Sequence, residues 1–428
     1  MSPTFASLSI YNYRVFAVGA LISNTGTWMG RVAQDWLVLT ELTAHSSVAL
    51  GIVTGLQFAP LVLFAPLAGM IADRFPKRRI LFVTQTAMAL TALLTGILVV
   101  TGAVQLWHVY VLAFVQGVAT ALDNPTRQTF VSEMVPHDSL SNAVGLNSAS
   151  FNGARLIGPG VAGLVIAAFS TGPAFFINAL SFVAVLLALS RMRPDELTPA
   201  PRQRGKGQIR EGLRYVRGRP DIVLIMALVF VLGTFGMNFQ MTTALMATSV
   251  FHKGASEYGL LGSIMAVGSL SAALLSARRP QPRLRILLVA LAAFVVATTA
   301  AALAPSYVWF AVLLIPVGLS ALTVLTTANA MVQLSVAPAM RGRVMALYMA
   351  VFMGGTPLAS PLIGWIGSAW GPRWTILVGS IATGMAVVAA SLYLVRSENV
   401  RITFNRQERP WLSVTRGEVI EPVPELTS

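Results

Sequence analysis

The sequence predicts an all-α integral membrane protein with twelve transmembrane helices arranged as two six-helix bundles. Hydrophobic residues make up 55% of the 428 positions and charged residues only 11%, against roughly 25% charged in average soluble domains. A soluble core of this size cannot hide that much apolar surface. One span needs about 20 apolar residues. Twelve apolar runs are long enough, at 15–39, 48–72, 80–101, 107–130, 141–169, 174–191, 221–250, 257–277, 284–304, 308–335, 344–369 and 374–395.

Positive charge is concentrated in the loops on one side of these predicted spans. Positions 74–79 carry four arginines and lysines, and the segment 191–219 carries nine of them against three acids. The opposite loops hold only Lys253 and Arg373. Because basic loops face the cytoplasm, we expect both termini to be cytoplasmic. The same asymmetry accounts for the formal charge of +14, so we expect no nucleic-acid partner.

A long repeat divides the chain in two. Trp107 and Trp309 are 202 residues apart, as are Pro159 and Pro361. Two parallel six-helix halves explain this spacing, and both tryptophans are typical of anchors at a membrane interface. The predicted domains are an N-terminal bundle (1–191), a basic cytoplasmic linker (192–220), a C-terminal bundle (221–396) and a flexible cytoplasmic tail (397–428).

The linker contains a candidate amphipathic helix. Ile209, Leu213 and Val216 recur at helical spacing among arginines. Such a helix either lies on the anionic inner leaflet or is a solvated connector without a membrane role.

The loop after the second span carries a motif. Residues 69–79 resemble the signature loop of the major facilitator superfamily, G-x-L-A-D-R-x-G-R-R/K, with Pro76 in place of a glycine and Lys77 in place of an arginine. The resemblance implies the major facilitator fold, with a central cavity between the bundles. Topology alone explains the cations but not Asp73, which can pair across neighbouring helix ends and gate the inner side. The residues expected in this gate are Gly69, Asp73, Arg74, Lys77 and Arg78, joined by Asp123 and Arg127.

A second motif lies in the fifth span. Residues 153–163 resemble the glycine-proline motif of the superfamily's antiporters, G-x-x-x-G-P-x-x-G-G, with Ala154 and Ala162 replacing two glycines. Ordinary packing of small residues is an equal alternative. The motif residues are Arg155, Gly158, Pro159 and Gly163.

Further stretches are similar to one branch of the superfamily. Residues 24–29, 34–39, 123–128 and 210–216 resemble the enterobactin-exporter-like group, which belongs with the drug and macrolide exporters. The resemblance implies a secondary active exporter of amphiphilic small molecules, with drug/proton antiport by alternating access as the first interpretation. Siderophore or metabolite export is the alternative, and an importer or a non-transporting sensor is more distant.

Ionisable residues within spans are costly and usually functional. Arg31 and Asp35 share one face of the first span, and Asp35 lies in its outer half. A carboxyl group in a poorly hydrated cavity can bind and release a proton near neutral pH, so we expect Asp35 to couple transport to protons, assisted by Arg31. The alternative is a static ion pair between the two. Asp123 and Arg127 lie towards the cytoplasm, and Arg155 either binds an anionic substrate or pairs with Asp35.

The second half has Val324 and Ala328 where the first half has Asp123 and Arg127. We therefore expect it to supply an adaptable apolar wall to the cavity. The candidate substrate-cavity residues of both halves are Trp36, Asn152, Asn238, Gln240, Asn329 and Gln333.

Several function classes are excluded. The chain has no cysteine, its four histidines fall in loops or at span ends, and no phosphate-binding G-x-x-x-x-G-K-S/T loop is present. We therefore expect no enzyme, no catalytic residue, no metal site and no cofactor, with a proton gradient as energy source. The expected partners are a small-molecule substrate, protons and the lipid bilayer, for a multi-pass monomer in the bacterial cytoplasmic (inner) membrane.

Overall fold

The computed structural model describes residues 3–198, 208–277, 282–397, 401–404 and 412–415. Helices dominate these residues. The α-helices are α1 (Tyr11–Trp36), α2 (Ser47–Leu63), α3 (Ala65–Arg74), α4 (Lys77–Val100), α5 (Leu106–Met134), α6 (His137–Phe169), α7 (Thr171–Arg191), α8 (Gln208–Arg217), α9 (Pro220–Val231), α10 (Phe239–Leu245), α11 (Ala255–Ala277), α12 (Leu284–Ala302), α13 (Tyr307–Ser335), α14 (Pro338–Gly354), α15 (Thr356–Trp370) and α16 (Pro372–Ser397).

Ten helical stretches within the described residues are long and apolar enough to cross a membrane. Two further spans complete the predicted twelve. The first is α1, whose 26 residues are long enough but are made more polar by side chains such as Arg31 and Asp35. The second is α2, which is apolar and short and continues into α3 after a break at Phe64 (φ −102°, ψ 5°). The predicted all-α membrane fold is confirmed.

The seventh span is the most irregular. It runs from α9 through a π-helical turn (Leu232–Gly236), the non-helical pair Met237 and Asn238, and α10, into a second π-helical turn (Met246–Val250). Close packing requires glycine here, because a Cβ on Gly233 would lie 2.2 Å from the carbonyl oxygen of Phe352 on α14. The first span likewise ends in a π-helical turn, Leu37–Leu42.

Two ends of the helical bundle can be distinguished. The linker end is the end at which the segment between the two halves lies. There α1 begins and α7 ends, and the side-chain amide of Asn12 donates a hydrogen bond to the carbonyl of Arg193 at 2.9 Å. At the opposite or far end, α6 ends and α11 and α13 begin. There the Tyr307 hydroxyl donates to the carbonyl of Glu257 at 2.8 Å, and the Thr171 hydroxyl donates to Glu41 at 2.7 Å.

The two halves meet at the far end through nearly bare backbone. On α6, a Cβ at Gly163 would lie 2.5 Å from the carbonyl oxygen of Ala255 on α11, and one at Gly160 would lie 3.0 Å from the Ser263 hydroxyl. Two turns nearer the linker end, a Cβ at Gly153 would meet no described atom within 4 Å. The halves therefore touch at the far end and separate towards the linker end.

The second and eleventh spans are also in close contact at the far end and apart at the linker end. A Cβ at Gly51 would lie 2.4 Å from the carbonyl oxygen of Ser360, and one at Gly55 would lie 2.8 Å from that of Pro357. At Gly69, near the linker end, no described atom lies within 4 Å of the added Cβ. Both contacts between the halves thus place the opening of the central cavity at the linker end.

The linker helix α8 packs on the C-terminal half. Glu211 forms an ion pair with Arg343 of α14 at 2.8 Å, and Val216 is buried. Beyond α16, two short strands, β1 (Arg401–Phe404) and β2 (Leu412–Thr415), pair antiparallel. The rest of the predicted flexible tail lies outside the described residues.

Tryptophans ring the far end. Trp107 and Trp309, the predicted interface anchors, are 55% and 59% exposed. The rings of Trp365, Trp370 and Trp374 follow one another at centroid distances of 6.2 and 5.7 Å and are also exposed. Amphipathic indoles are enriched where hydrocarbon meets water, so this ring of tryptophans fits a membrane boundary.

Candidate functional site

A hydrogen bond joins the two halves at the far end. The hydroxyl of Tyr258, at the start of α11, donates to Oδ2 of Asp35, near the end of α1, at 2.9 Å. Asp35 is 4% exposed and Tyr258 is 3% exposed. The Trp36 indole stacks on the Tyr258 ring with centroids 6.4 Å apart. The proposed proton carrier therefore lies in the contact that closes the far end.

Asp35 does not pair with either nearby arginine in this conformation. Among the described residues, neither Arg31 nor Arg155 forms an ion pair. The guanidinium carbon of Arg31 lies 5.1 Å from the centre of the Trp28 ring, and that of Arg155 lies 5.6 Å from the same ring. Two cations thus flank one tryptophan of the first span, an arrangement stabilised by cation–π attraction.

A small polar pocket lies inside the N-terminal half beside Arg31. Two buried side-chain atoms of its lining residues, Nε2 of Gln34 and Oδ1 of Asn178, have no hydrogen-bond partner in the described part of the chain. We call it the N-half pocket. Its polar lining residues come from five helices and are Arg31, Gln34, Gln57, Thr95, Gln116 and Asn178.

The expected gate residues contact their own half in this conformation. Lys77, at the start of α4, forms an ion pair with Glu133 of α5. The Arg78 guanidinium donates to the carbonyl oxygen of Leu189 on α7 at 2.8 Å, and Arg74 is exposed. Asp73 belongs to α3, but its side chain lies outside the described part of the structure. The signature loop therefore joins α4 to α5 and α7 while the linker end is open.

Asp123 and Arg127 form a buried network one layer deeper. Asp123 is 3% exposed and accepts hydrogen bonds from Thr84 at 2.7 Å, from Gln85 at 2.7 Å and from Arg127 at 3.0 Å. The Arg127 guanidinium also lies 6.0 Å from the centre of the Phe16 ring. The network fixes α5 against α4, the helix that begins in the signature loop.

The antiporter-like motif brings α6 against two partners. A Cβ at Gly158 would lie 2.6 Å from Cβ of Trp28 on α1. On the opposite side, the carbonyl oxygen of Pro159 would lie 2.2 Å from a Cβ at Gly259 on α11. Together with Gly163, these positions let α6 contact the first span of its own half and the eighth span of the other.

Three predicted cavity residues lie in contacts between helices. Trp36 and the backbone carbonyl of Gln240 both adjoin Tyr258, the latter accepting from its hydroxyl at 3.4 Å. Asn238 accepts from Ser360 of α15 at 2.9 Å and so holds the irregular seventh span to the eleventh.

The other predicted cavity residues bond within their own helices. Asn152 donates to the carbonyl of Ser148 at 2.9 Å. Gln333 donates to Asn329 at 2.6 Å, and it is exposed.

Three site residues were not anticipated from the sequence: Tyr258, Gln34 and Asn178. Tyr258 is 223 positions from Asp35, and nothing in a single sequence links the two. Gln34 and Asn178 are uncharged, so a search for ionisable residues in spans passes over them. A search for any carboxamide inside an apolar run would have found both.

The sequence profile of the family described as transmembrane secretion effector matches residues 2–417. The chain belongs to this family of the major facilitator superfamily. This confirms the resemblance found in the signature loop. The transmembrane secretion effectors and the relatives found are membrane transporters rather than enzymes, which confirms that prediction too.

Individual relatives of the chain include transporters of two kinds. The chain is 33% identical over 166 residues to the staphyloferrin A transporter of Staphylococcus aureus, and the match covers 38% of this chain and 41% of that one. It is 28% identical over 381 residues to the multidrug efflux pump Tap of Mycolicibacterium fortuitum, covering 85% and 90%. The chain thus spans less than half of the first relative and most of the second.

The fold also matches solved transporters. A bacterial homologue of the human lysosomal transporter Spinster, in an inward-facing and occupied conformation, superposes with a TM-score of 0.69. The two sequences are 15% identical, and the match covers 89% of this chain and 96% of the other. At this identity the likeness concerns the fold alone.

Proposed function

We propose that this protein is a proton-coupled exporter of amphiphilic small molecules, a drug/proton antiporter that works by alternating access with Asp35 as its proton site. The observation that carries the proposal is the Asp35–Tyr258 hydrogen bond between the halves. A titratable group placed in a contact that exists in only one of two states biases the equilibrium between them.

The bond defines one state of the proposed cycle. While the far end is closed, the Tyr258 hydroxyl donates to the Asp35 carboxylate. In this cycle Asp35 releases its proton while the cavity is open at the linker end. When the halves part at the far end, Asp35 loses this donor and takes a proton from that side. Substrate leaves at the far end and a proton enters.

The direction of transport follows from the charge of the loops. The loops of the linker end carry most of the arginines and lysines, which favours a cytoplasmic linker end and cytoplasmic termini in a bacterial inner membrane. The chain has no native cysteine, so single cysteines report accessibility. A membrane-impermeant maleimide should label Lys253→Cys in intact cells and should leave Arg214→Cys unlabelled. The reverse pattern would invert the proposed direction.

Proteoliposomes test the proton site. Ethidium and erythromycin serve as probes, after an accumulation assay in an efflux-deficient strain has shown which of them the wild-type protein exports. In the Asp35→Asn variant we expect substrate-driven proton movement to be lost, because the amide cannot exchange a proton. Asp195→Asn, at an exposed site in the linker, is the matched control and should couple normally. Undiminished proton movement in Asp35→Asn would refute the proposal.

Siderophore or metabolite export is a second candidate. It is favoured by the two arginines, Arg31 and Arg155, which flank Trp28 without an ion-pair partner in the described structure. The similarity to the staphyloferrin A transporter points the same way. Comparing the culture medium of a deletion strain with that of the complemented strain by mass spectrometry tests it. The expected result is an anionic chelator that is present in the medium of the complemented strain and depleted from that of the deletion strain.

A further inference from the structure

The linker helix α8 is held at the depth of the lipid headgroups. It ends just before Pro220, where the seventh span begins, and its Glu211 pairs with Arg343 at 2.8 Å. Arg343 belongs to the first turn of the eleventh span, Met340–Trp370. The 31 residues of that span, at about 1.5 Å each, are about 46 Å long, close to the full bilayer thickness of about 40–45 Å. The ends of the span, and α8 beside one of them, therefore lie among the headgroups.

One face of α8 packs on the C-terminal half. Val216 is 5% exposed, and a Cβ at Gly212, one turn earlier, would lie 3.3 Å from Cβ of Arg343. Residues four apart on a helix share a face, so Gly212 and Val216 define the packed face. This contact fixes the rotation of α8 about its own axis, and the opposite face points away from the bundle.

The opposite face carries three arginines. At about 100° per residue, Arg210, Arg214 and Arg217 all lie at least about 120° from the middle of the packed face. We call these three positions the arginine face. Arg214 and Arg217 are exposed, and neither forms an ion pair within the described part of the chain. Leu213, at the edge of the arginine face, is 37% exposed.

Membrane orientation alone does not explain this arrangement. The positive-inside rule concerns the number of arginines and lysines in a loop, and any face of a helix would satisfy it. In α8 the arginines occupy the face that packing leaves free, and an apolar side chain borders them. A basic face with apolar residues beside it, at the surface of a bilayer, is typical of helices that bind anionic lipids.

We propose that the arginine face of α8 binds the headgroups of anionic phospholipids in the leaflet at the linker end. Arg214 and Arg217 bind the phosphate oxygens, because guanidinium groups form charge-assisted hydrogen bonds with them, and Leu213 contacts the upper part of the acyl chains. The Glu211–Arg343 ion pair then connects the bound lipid to the eleventh span. This inference does not depend on the proposed export function.

A fluorophore at position 213 tests the contact. The chain has no native cysteine, so full-length protein carrying Leu213→Cys is labelled with an NBD maleimide and placed in phosphatidylcholine nanodiscs. Phosphatidylglycerol or phosphatidylcholine with a nitroxide near the headgroup is titrated in, and the quenching of NBD gives the association constant of each lipid. We expect phosphatidylglycerol to associate at least about five-fold more strongly, the factor that one arginine contributes near an anionic surface.

Two changes should remove this preference. Arg214→Gln combined with Arg217→Gln should bring the ratio of the two association constants close to one. Raising the salt concentration from about 0.1 M to about 1 M, which shortens the Debye length from about 10 Å to about 3 Å, should lower the ratio at least two-fold without any change of sequence. The matched control combines Arg283→Gln with Arg285→Gln, two exposed arginines at the start of α12, and should keep the preference.

Three results would overturn the proposal. The first is equal quenching by the two lipids in the protein that carries only Leu213→Cys. The second is the same ratio in the Arg214→Gln/Arg217→Gln variant as in the control. The third is the absence of quenching by either lipid, which would identify α8 as a solvated connector. No substrate or proton gradient is present in the assay, so its outcome is independent of the transport experiments.

Discussion

A single methyl group at the far-end contact should shift the balance between the two states of the transporter. In Gly163→Ala the new Cβ would lie 2.5 Å from the Ala255 carbonyl oxygen and 3.0 Å from Cα of Ser256. The first distance is about 0.9 Å short of ordinary contact, which begins at 3.4 Å, and the opposing atoms are backbone that cannot rotate away. The halves must therefore separate at this point.

The size of the effect follows from overpacking. Extra methyl groups in well-packed interiors cost about 1–3 kcal/mol, and that cost falls only on the state in which α6 and α11 touch. The population of the far-end-open state should rise by about 5- to 150-fold. Gly153→Ala is the matched control, because it lies on the same helix and meets no described atom within 4 Å. Both variants gain the same helix propensity, about 0.5–1 kcal/mol.

The assay uses a cysteine at position 47. Ser47 is 4% exposed and bonds to the carbonyl of Gly364 on α15 at 2.7 Å, so it becomes accessible when the far end opens. In the Ser47→Cys background, purified protein is treated with a maleimide and the labelling rate is measured. Protein that carries Gly163→Ala should be labelled about 5- to 150-fold faster than protein that carries Gly153→Ala. Equal rates in the two variants would show that this backbone contact does not hold the far end closed.

Three further predictions concern stability, each measured by thermal unfolding in detergent. Asp123→Ala should lower the free energy of unfolding by about 3–5 kcal/mol, because it leaves the largely buried Arg127 without its ion-pair partner. Thr129→Ala, on the same helix and exposed at its surface, should change little. Arg373→Ala should cost about 1.5–3 kcal/mol, since its guanidinium donates to two carbonyls at the end of α12, at 2.6 and 3.0 Å; an unchanged midpoint would contradict this. Lys77→Met and Glu133→Gln should together cost less stability than the sum of the two single changes, because both remove the same ion pair; strictly additive losses would exclude coupling.

The fold was predictable because the bilayer imposes it. Length and apolarity reveal each span with little help from tertiary contacts, and the first span departs from the pattern through its polar side chains, Arg31 and Asp35 among them. Arg373 shows the limit of topology arguments. It is one of two basic residues in the far-end loops, and its place follows from the α12 carbonyls that it binds rather than from membrane orientation.

The site was predictable only in its charges. Asp35, Asp123 and Arg127 stand out because ionised groups in a span are costly, but their partners depend on how distant helices meet. Nothing in the sequence distinguishes Tyr258 from other tyrosines, and only the packing of α11 against α1 places it beside Asp35. The signature-loop residues were expected to pair across the ends of neighbouring helices and to gate the inner side. Lys77 and Arg78 bond to α5 and α7 in the open-linker state, and their gating role stays a prediction. A single sequence does not specify which of two states is described.

The two π-helical turns of the seventh span allow its backbone to rearrange, which adds to the flexibility of its side chains. A π-helical turn holds one residue more than an α-helical turn, and it can move along the helix by exchanging hydrogen bonds without breaking the span. Each one-residue step rotates the side chains it passes by about 100°. A one-residue step between the two turns would move Gln240 into the position that the buried Met241 now holds. In the proposed exporter, such steps would let this span present alternative sets of side chains to molecules of different shape, at the cost of local hydrogen-bond rearrangement only.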